Sequence, residues 1–349
     1  MDRRTLLQWG AATLATSTFA KLNFAQSAPG AGAQQPIKLH LDAYSRTLHW
    51  LRTPQEVAEA CHQIGNTTID LTVRVYPGHV LPEKVKTDLT PFVNGLKRNG
   101  IAVTSMAAEI ADANTPHVEA MMDTASSLGI HHHWWRGFAI DASKPYMPQL
   151  DAMKTRVAGL VKLEEKYGMK AMYHPGGGFS SAFFDLLYVL KDFDPRYVSV
   201  QYDTGNLLQA NQQNLVTQLR MGAPYIGGFV FKDAVIEPTP PADPNTPPPP
   251  QAAAPAAGGR GGGGRGGAPG RFRNRQVPVG TGIINLPLIA QTLKEINFNG
   301  PMECQPEWPD LGGPDQGRDT LTIPREKVIE FLRRDRMTVE AAFAGTGLM

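Results

Sequence analysis

His174 closes the apolar run KAMYHP and Asp203 closes VSVQYDTGN, with a helix-period segment between them. An imidazole exchanges protons near neutral pH and ligates metals, and a carboxylate beside it does the second and orients the first. Strand, helix and strand in this order form a βαβ unit. In parallel α/β proteins ligands bind at the carboxyl ends of the strands, where loops vary over a fixed base. A repeat of the unit therefore puts His174 and Asp203 on one pocket.

The rest of the chain repeats it. Strand-like runs end at Asp42 and Tyr44 in IKLHLDAY, at Arg74 in TTIDLTVR, at Glu109 in IAVTSMAAE and at Arg136 in HHHWWRG. Further on they end at Lys232 and Asp233 in IGGFVFKDAV and at Gln305 and Glu307 in GPMECQPEW. Helical patterns separate them. Thr53 and Glu56 make a capping box with Pro54 at the first helical position, Gly100 stops the second helix, Thr115 and Pro116 open the third, and PREKVIEFLRRDRMTVEAAF is the last. Eight rounds in strict alternation predict an α/β fold, a (β/α)8 barrel over residues 37–349, because a doubly wound sheet takes fewer units and leaves two open edges.

One stretch breaks the rhythm. Residues 237–275, after strand seven, are rich in Pro, Gly and Arg and too poor in apolar groups to offset their ordering entropy, so a disordered insertion is expected there. Its Arg-Gly-Gly runs lack interleaved aromatics apart from Phe272, which favours a tolerated surface loop over a nucleic-acid-binding tail. The net charge of +2 on 349 residues supplies no field that would steer nucleic acid to the protein.

The N-terminus carries Arg3 and Arg4, then Leu6 and Leu7, then a weakly apolar run of small residues. It resembles a Tat export signal, and residues 1–25 are read as that signal with 26–36 as a flexible leader. The apolar run is too short and too rich in Ala and Thr to span a bilayer stably, so no stable membrane anchor is expected, and the mature protein is expected to be periplasmic or otherwise exported. Cys61 and Cys304 stand far apart in a helix and a strand, as buried apolar residues do.

The segments AMYHP, VSVQYDTGN, GGFVFKD, VPVGTGIINLPLIAQTLKEINFNGPMECQPEW and LGGPDQG resemble the xylose isomerase-like TIM-barrel superfamily, in particular sugar phosphate isomerase/epimerase homologues, over essentially the whole mature chain. The resemblance implies proton abstraction next to the carbonyl of a carbohydrate or keto-sugar, with a divalent metal (Mn, Mg, Zn or Co) holding the enediolate oxygens. It places His174 and Asp203 at the metal positions of strands five and six. It also exposes departures: Val230 stands for the strand-seven His, although Lys232 and Asp233 are kept, Gln305 stands for the strand-eight Glu, and Asn206 replaces a common His.

The metal candidates are thus His174, Asp203, Gln305 and Glu307, the last on the same strand face as Gln305. His174, Glu109 and Lys232 are the candidates for proton transfer or oxyanion stabilisation, and Arg74, His79, Arg136, Asp233 and Trp308 for contact with a small carbohydrate. Each has a structural alternative: Lys232 and Asp233 as a buried pair holding strand seven, Asp203 as an Asx-turn, Arg136 and Glu109 as a salt bridge. His131, His132 and His133 alternate faces and cannot meet one ion, Trp134 and Trp135 suit core packing, and Gly176–Gly178 lack a phosphate-loop register. Two further readings share the site: a non-catalytic sugar-binding protein on a barrel with a degraded metal site, and a keto-glycoside lyase that starts from the same enolate.

Overall fold

Eight parallel strands close on themselves, each followed by helix that covers its outer face. In chain order they are β1 (Leu41–Tyr44), β2 (Thr68–Val73), β3 (Ala102–Ile110), β4 (His132–Trp135), β5 (Lys170–Tyr173), β6 (Val198–Asp203) and β7 (Ile226–Phe231). A two-stranded ribbon of β8 (Asp233–Pro238) and β9 (Phe272–Val277) follows, and β10 (Met302–Cys304) completes the ring by pairing with both β7 and β1. The structure, a computed structural model, describes residues 38–75, 78–136, 140–141, 143–175, 183–209, 214–239, 272–314 and 318–349.

Helices α1 (Pro54–Ile64), α2 (Val85–Arg98), α3 (Val118–Ser127), α4 (Tyr146–Tyr167), α5 (Phe183–Leu190), α6 (Thr204–Gln209), α7 (Leu215–Met221), α8 (Leu286–Glu295) and α9 (Arg325–Phe343) surround the ring. The main core lies between strands and helices, where Leu, Ile, Val and Phe from both layers are buried together. The capping box of α1 is formed: Glu56 N–H donates to the Thr53 hydroxyl at 3.2 Å, and Glu56 accepts from Thr53 N–H at 2.9 Å. Among the described residues no helix is long and apolar enough to cross a membrane.

The barrel interior is polar by comparison. A small apolar cluster of Tyr44, Ala107, Trp134 and Met172 shares it with buried Asp42, Asp70, Gln201 and Glu303. Period-two alternation puts Gln201 with Asp203 on one face of β6, and Glu303 with Gln305 on one face of β10 and its extension. Gln201 on β6 hydrogen-bonds Glu303 on β10 across the intervening β7. It can do so because β7 offers Gly228 at that level: a Cβ there would sit 2.7 Å from the Met172 sulfur and 3.2 Å from Gln201 Cγ.

Two sequence expectations change in extent. The first strand starts at Leu41, because Leu39 N–H pairs with Leu348 O (2.6 Å) instead of a neighbouring strand. The insertion read as disordered over 237–275 has ordered arms: residues 237–238 and 272–275 belong to the β8–β9 ribbon, where Glu237 accepts from Arg273 (2.6 Å) and Arg275 (2.8 Å). Residues 240–271, like the signal and leader at 1–25 and 26–36, lie outside the described residues.

Candidate functional site

His174, Asp203, Lys232 and Glu307 converge at the carboxyl ends of β5, β6, β7 and β10. Lys232 is the hub: its Nζ lies 3.0 Å from Asp203 Oδ2, 2.9 Å from Glu307 Oε2 and 3.5 Å from Asn206 Oδ1. Arg46, in the turn after β1, donates to the other Glu307 oxygen at 2.8 Å. Burial alone would push the Lys232 ammonium down, but Asp203 and Glu307 together hold it above its ordinary range, so it stays charged. Burial pushes the Asp203 carboxyl up, against the pull of Lys232 and the Asn206 N–H that donates to it at 2.8 Å.

The backbone is shaped around that lysine. Thr204 Oγ1 donates to Lys232 O (2.6 Å) and accepts from Lys232 N–H (3.0 Å), locking the strand end against the start of α6. Gly205 leaves room for the stem, since a Cβ there would lie 2.5 Å from Lys232 Cβ. The Asp203-Thr204-Gly205-Asn206 run thus supplies a carboxylate, a clamp, a gap and an amide to one neighbour.

His174 is held from below. Its ring lies flat on Trp134, centroids 4.0 Å apart, and Trp134 in turn stacks on Tyr44 at 5.5 Å. Gln201 Nε2 donates to Glu303 Oε1 at 3.0 Å, which leaves Gln201 Oε1 to accept from His174 Nδ1 at 2.8 Å. This network assigns the proton to Nδ1, and Nε2 lies 3.5 Å from Asn206 Nδ2 and 3.7 Å from Asp203 Oδ2. Glu303 Oε1 also accepts from Gln305 Nε2. Burial pushes Glu303 well above the ordinary carboxylate range and Asp70 beside it up to about 6, and Asp70 accepts from Ser105 at 2.6 Å.

The remaining sequence candidates separate. Gln305 turns inward to Glu303 and away from Asp203. Arg74 is buried and reaches Glu109 at 3.8 Å, and Arg136 is half-buried at the end of β4 with its N–H on Ile110 O. Two assignments to carbohydrate contact are corrected, those of Asp233 and Trp308. Asp233 is a loop staple: its oxygens accept the N–H groups of Gly280 (3.0 Å), Gly282 (2.9 Å) and Ile284 (3.1 Å). Trp308 is buried between β10 and α9, donating from Nε1 to Asp335 at 3.1 Å with its ring against Phe331, so no sugar reaches its face. His79 is half-buried, packs against Phe92 and has its Nδ1 2.9 Å from the Thr72 hydroxyl, and burial pushes its pKa down to about 3.

His133 pairs with Glu164 of α4 at 2.7 Å while His131 reaches Gly168 O at 3.1 Å, so these two histidines go to separate partners. Arg46, Gln201 and Glu303 were not singled out from the sequence. The signal for the last two was period two, since each lies two residues before a strand-end candidate on the same face. Arg46 carries no such signal, because its place follows only from the turn after β1.

A family model described as a xylose isomerase-like TIM barrel matches residues 31–333. A comparison with curated proteins finds no match. Among solved structures, a D-psicose 3-epimerase studied in the presence of D-fructose is 15% identical at a TM-score of 0.58, covering 88% of this chain and 100% of its own. A xylose isomerase-like TIM-barrel protein from Mycobacterium smegmatis in complex with magnesium is 15% identical at 0.60, covering 89% and 100%. The IOLI protein with a zinc atom is 16% identical at 0.59, covering 88% and 100%. At these identities the likeness is one of fold.

The donors present here do not fit a divalent metal of that kind. Val230 offers no ligand, Gln305 is turned away, and among the described residues no group of three His, Cys, Asp or Glu side chains is disposed to hold an ion. The two carboxylates that remain, Asp203 and Glu307, both face the Lys232 ammonium. A divalent ion within bonding distance of both would sit about 3 Å from that charge, a repulsion of roughly 10 kcal/mol at an effective dielectric constant of about 20.

Proposed function

The chain belongs to the xylose isomerase-like TIM-barrel family, and from that premise and the mouth cluster we propose that it is a sugar isomerase/epimerase-like enzyme that moves a proton next to the carbonyl of a small carbohydrate or keto-sugar. One observation carries the reading: the His174 imidazole, through Nε2, and the Lys232 ammonium lie against the same oxygen, Asp203 Oδ2, at 3.7 and 3.0 Å. Base and electrophile side by side are what enolisation needs. His174 Nε2 takes the proton from the carbon next to the carbonyl, the electron pair forms the carbon–carbon double bond, and the carbonyl oxygen becomes an enolate oxygen beside Lys232. Transfer of the proton on the adjacent hydroxyl to the enolate oxygen, with return of the abstracted proton from His174 to the former carbonyl carbon, makes the neighbouring carbon the new carbonyl and gives an isomer. Protonation of the original carbon from the other face, by a proton drawn from solvent and relayed through Glu307 or Glu109, gives an epimer while His174 returns its proton to solvent.

The test is deuterium exchange. Ketohexoses and keto-glycosides are incubated with the protein in deuterated buffer, and the carbon next to the carbonyl is followed by NMR. Exchange is expected with wild type, and His174→Ala is expected to slow it by about 10²-fold to 10⁴-fold. Sugar binding without exchange would establish the binding-protein reading instead, and release of an elimination product would establish the lyase.

We also propose that the enzyme works outside the cytoplasm on an unphosphorylated sugar, on the strength of Arg3, Arg4 and the short small-residue run behind them. Replacing both arginines by lysine is expected to hold the precursor in the cytoplasmic fraction. Unchanged export of that variant would refute the signal assignment.

A further inference from the structure

The shell around Lys232 Nζ is built like a cation site. Oxygens from Asp203, Asn206 and Glu307 surround one point at 3.0, 3.5 and 2.9 Å, and they come from two strand ends on either side of β7. The group at that point is buried, and the chain has made room for it by a glycine at 205 and clamped its backbone through Thr204. Charge balances within the cluster: the two carboxylates are matched by Lys232 and Arg46. The same cluster does not accept a divalent ion without displacing the lysine.

We propose that the Lys232 ammonium is the resident cation of this site, a tethered replacement for the divalent metal that the fold family implies, so that the protein holds the substrate's carbonyl oxygen with a charge of its own. Val230, Gln305 and the retained lysine then form one coherent set. Loss of the imidazole and the carboxylate removes the ligands of a doubly charged ion, while Asp203 and Glu307 suffice for a singly charged one. The enolate oxygen meets an N–H donor, which supplies both charge and a directional hydrogen bond. The inference rests on the reading of the mouth as the site of the substrate oxygen, but its test needs no turnover.

Wild type is titrated with Mn²⁺ by electron paramagnetic resonance and with Zn²⁺ by calorimetry, beside Lys232→Ala. Wild type is expected to bind neither ion at this site at concentrations up to about 1 mM, and the ¹⁵Nζ resonance of the buried ammonium is expected to persist unshifted when Zn²⁺ is added. Lys232→Ala empties the point and is expected to gain thermal stability from ethylammonium chloride or from Mn²⁺, and not from sodium chloride at equal ionic strength. Stoichiometric metal in wild type that is lost in Asp203→Asn, or release of the ammonium resonance by Zn²⁺, would overturn the proposal. Should Lys232→Ala fail to fold, the wild-type resonance and titrations decide alone. A protein that keeps its ammonium but exchanges no proton sinks the proposed function and leaves this inference standing; one that exchanges but takes up metal does the reverse.

Discussion

Lys232→Met is expected to unfold about 3–5 kcal/mol more easily than wild type at pH 7.5 and to lose proton exchange by about 10²-fold to 10³-fold. Two carboxylates lose their shared partner in this variant. Glu307 keeps Arg46 at 2.8 Å and keeps some solvent, but Asp203 is fully buried, and its Oδ2 loses the ammonium at 3.0 Å and keeps His174 Nε2 at 3.7 Å. Burial already pushes the Asp203 carboxyl up with the lysine present, so without it the carboxyl rises further. A carboxyl raised above its ordinary 3.8 in the fold binds more protons folded than unfolded; that stabilisation is complete at low pH and is lost as pH rises through the raised value.

The deficit of Lys232→Met should therefore shrink as the pH is lowered, and Asp203→Asn added to it should restore most of the lost stability at pH 7.5 while leaving exchange absent. Urea unfolding of the two single variants and the double variant closes the cycle. If Lys232→Met is as stable as wild type at pH 7.5, the hub is not a buried ion pair and the cation argument falls with it.

His174 and Asp203 were legible because each closes an apolar run of strand length, and in a barrel the residue after such a run has one place to go. The same rule found Lys232 and Glu307. It failed at Asp233 and Trp308 for different reasons. The strand-end rule does not distinguish the residue that faces the axis from its neighbour that faces the loop, so Lys232 enters the site while Asp233 binds the Gly280 and Gly282 amides. An aromatic ring is as good a core filler as a stacking platform, and only the approach of Asp335 and Phe331 from α9 decides for Trp308. The ribbon of β8 and β9 was hidden because its register spans a long insertion, and DAVIEP and FRNRQV show no shared alternation that would align them. The polar interior was hidden for a related reason. A carboxylate in mid-strand, as in TTIDLTV, reads as the wet face of a half-buried strand, and only closure of the barrel turns that face inward.

That buried face yields the second large effect. Asp42 is 2% exposed inside the barrel wall, with Thr104 donating to its Oδ2 and no hydrogen-bond partner for Oδ1 among the described residues. Burial, with a smaller push from the nearby Asp70, raises its pKa from the ordinary 3.8 to about 7 against the pull of the Thr104 hydroxyl. Below pH 3.8 Asp42 is neutral in both the folded and the unfolded chain and has no effect on the balance. Between there and about pH 7 the fold must retain a proton that the unfolded chain releases, so stability declines, and above pH 7 the carboxylate is held ionised and unmatched. Asp42→Asn keeps an acceptor for Thr104 and removes the titration. Its advantage over wild type should be near zero at pH 3.5, grow through pH 4–7 and level off at about 4 kcal/mol, the free-energy equivalent of the rise in pKa. Guanidinium unfolding midpoints at constant slope measure that difference directly. A gap that does not change with pH would show that Asp42 is ionised and well solvated in the fold. Proton exchange should stay at the wild-type rate, because Asp42 touches none of the groups at the mouth and the change acts on the barrel wall alone.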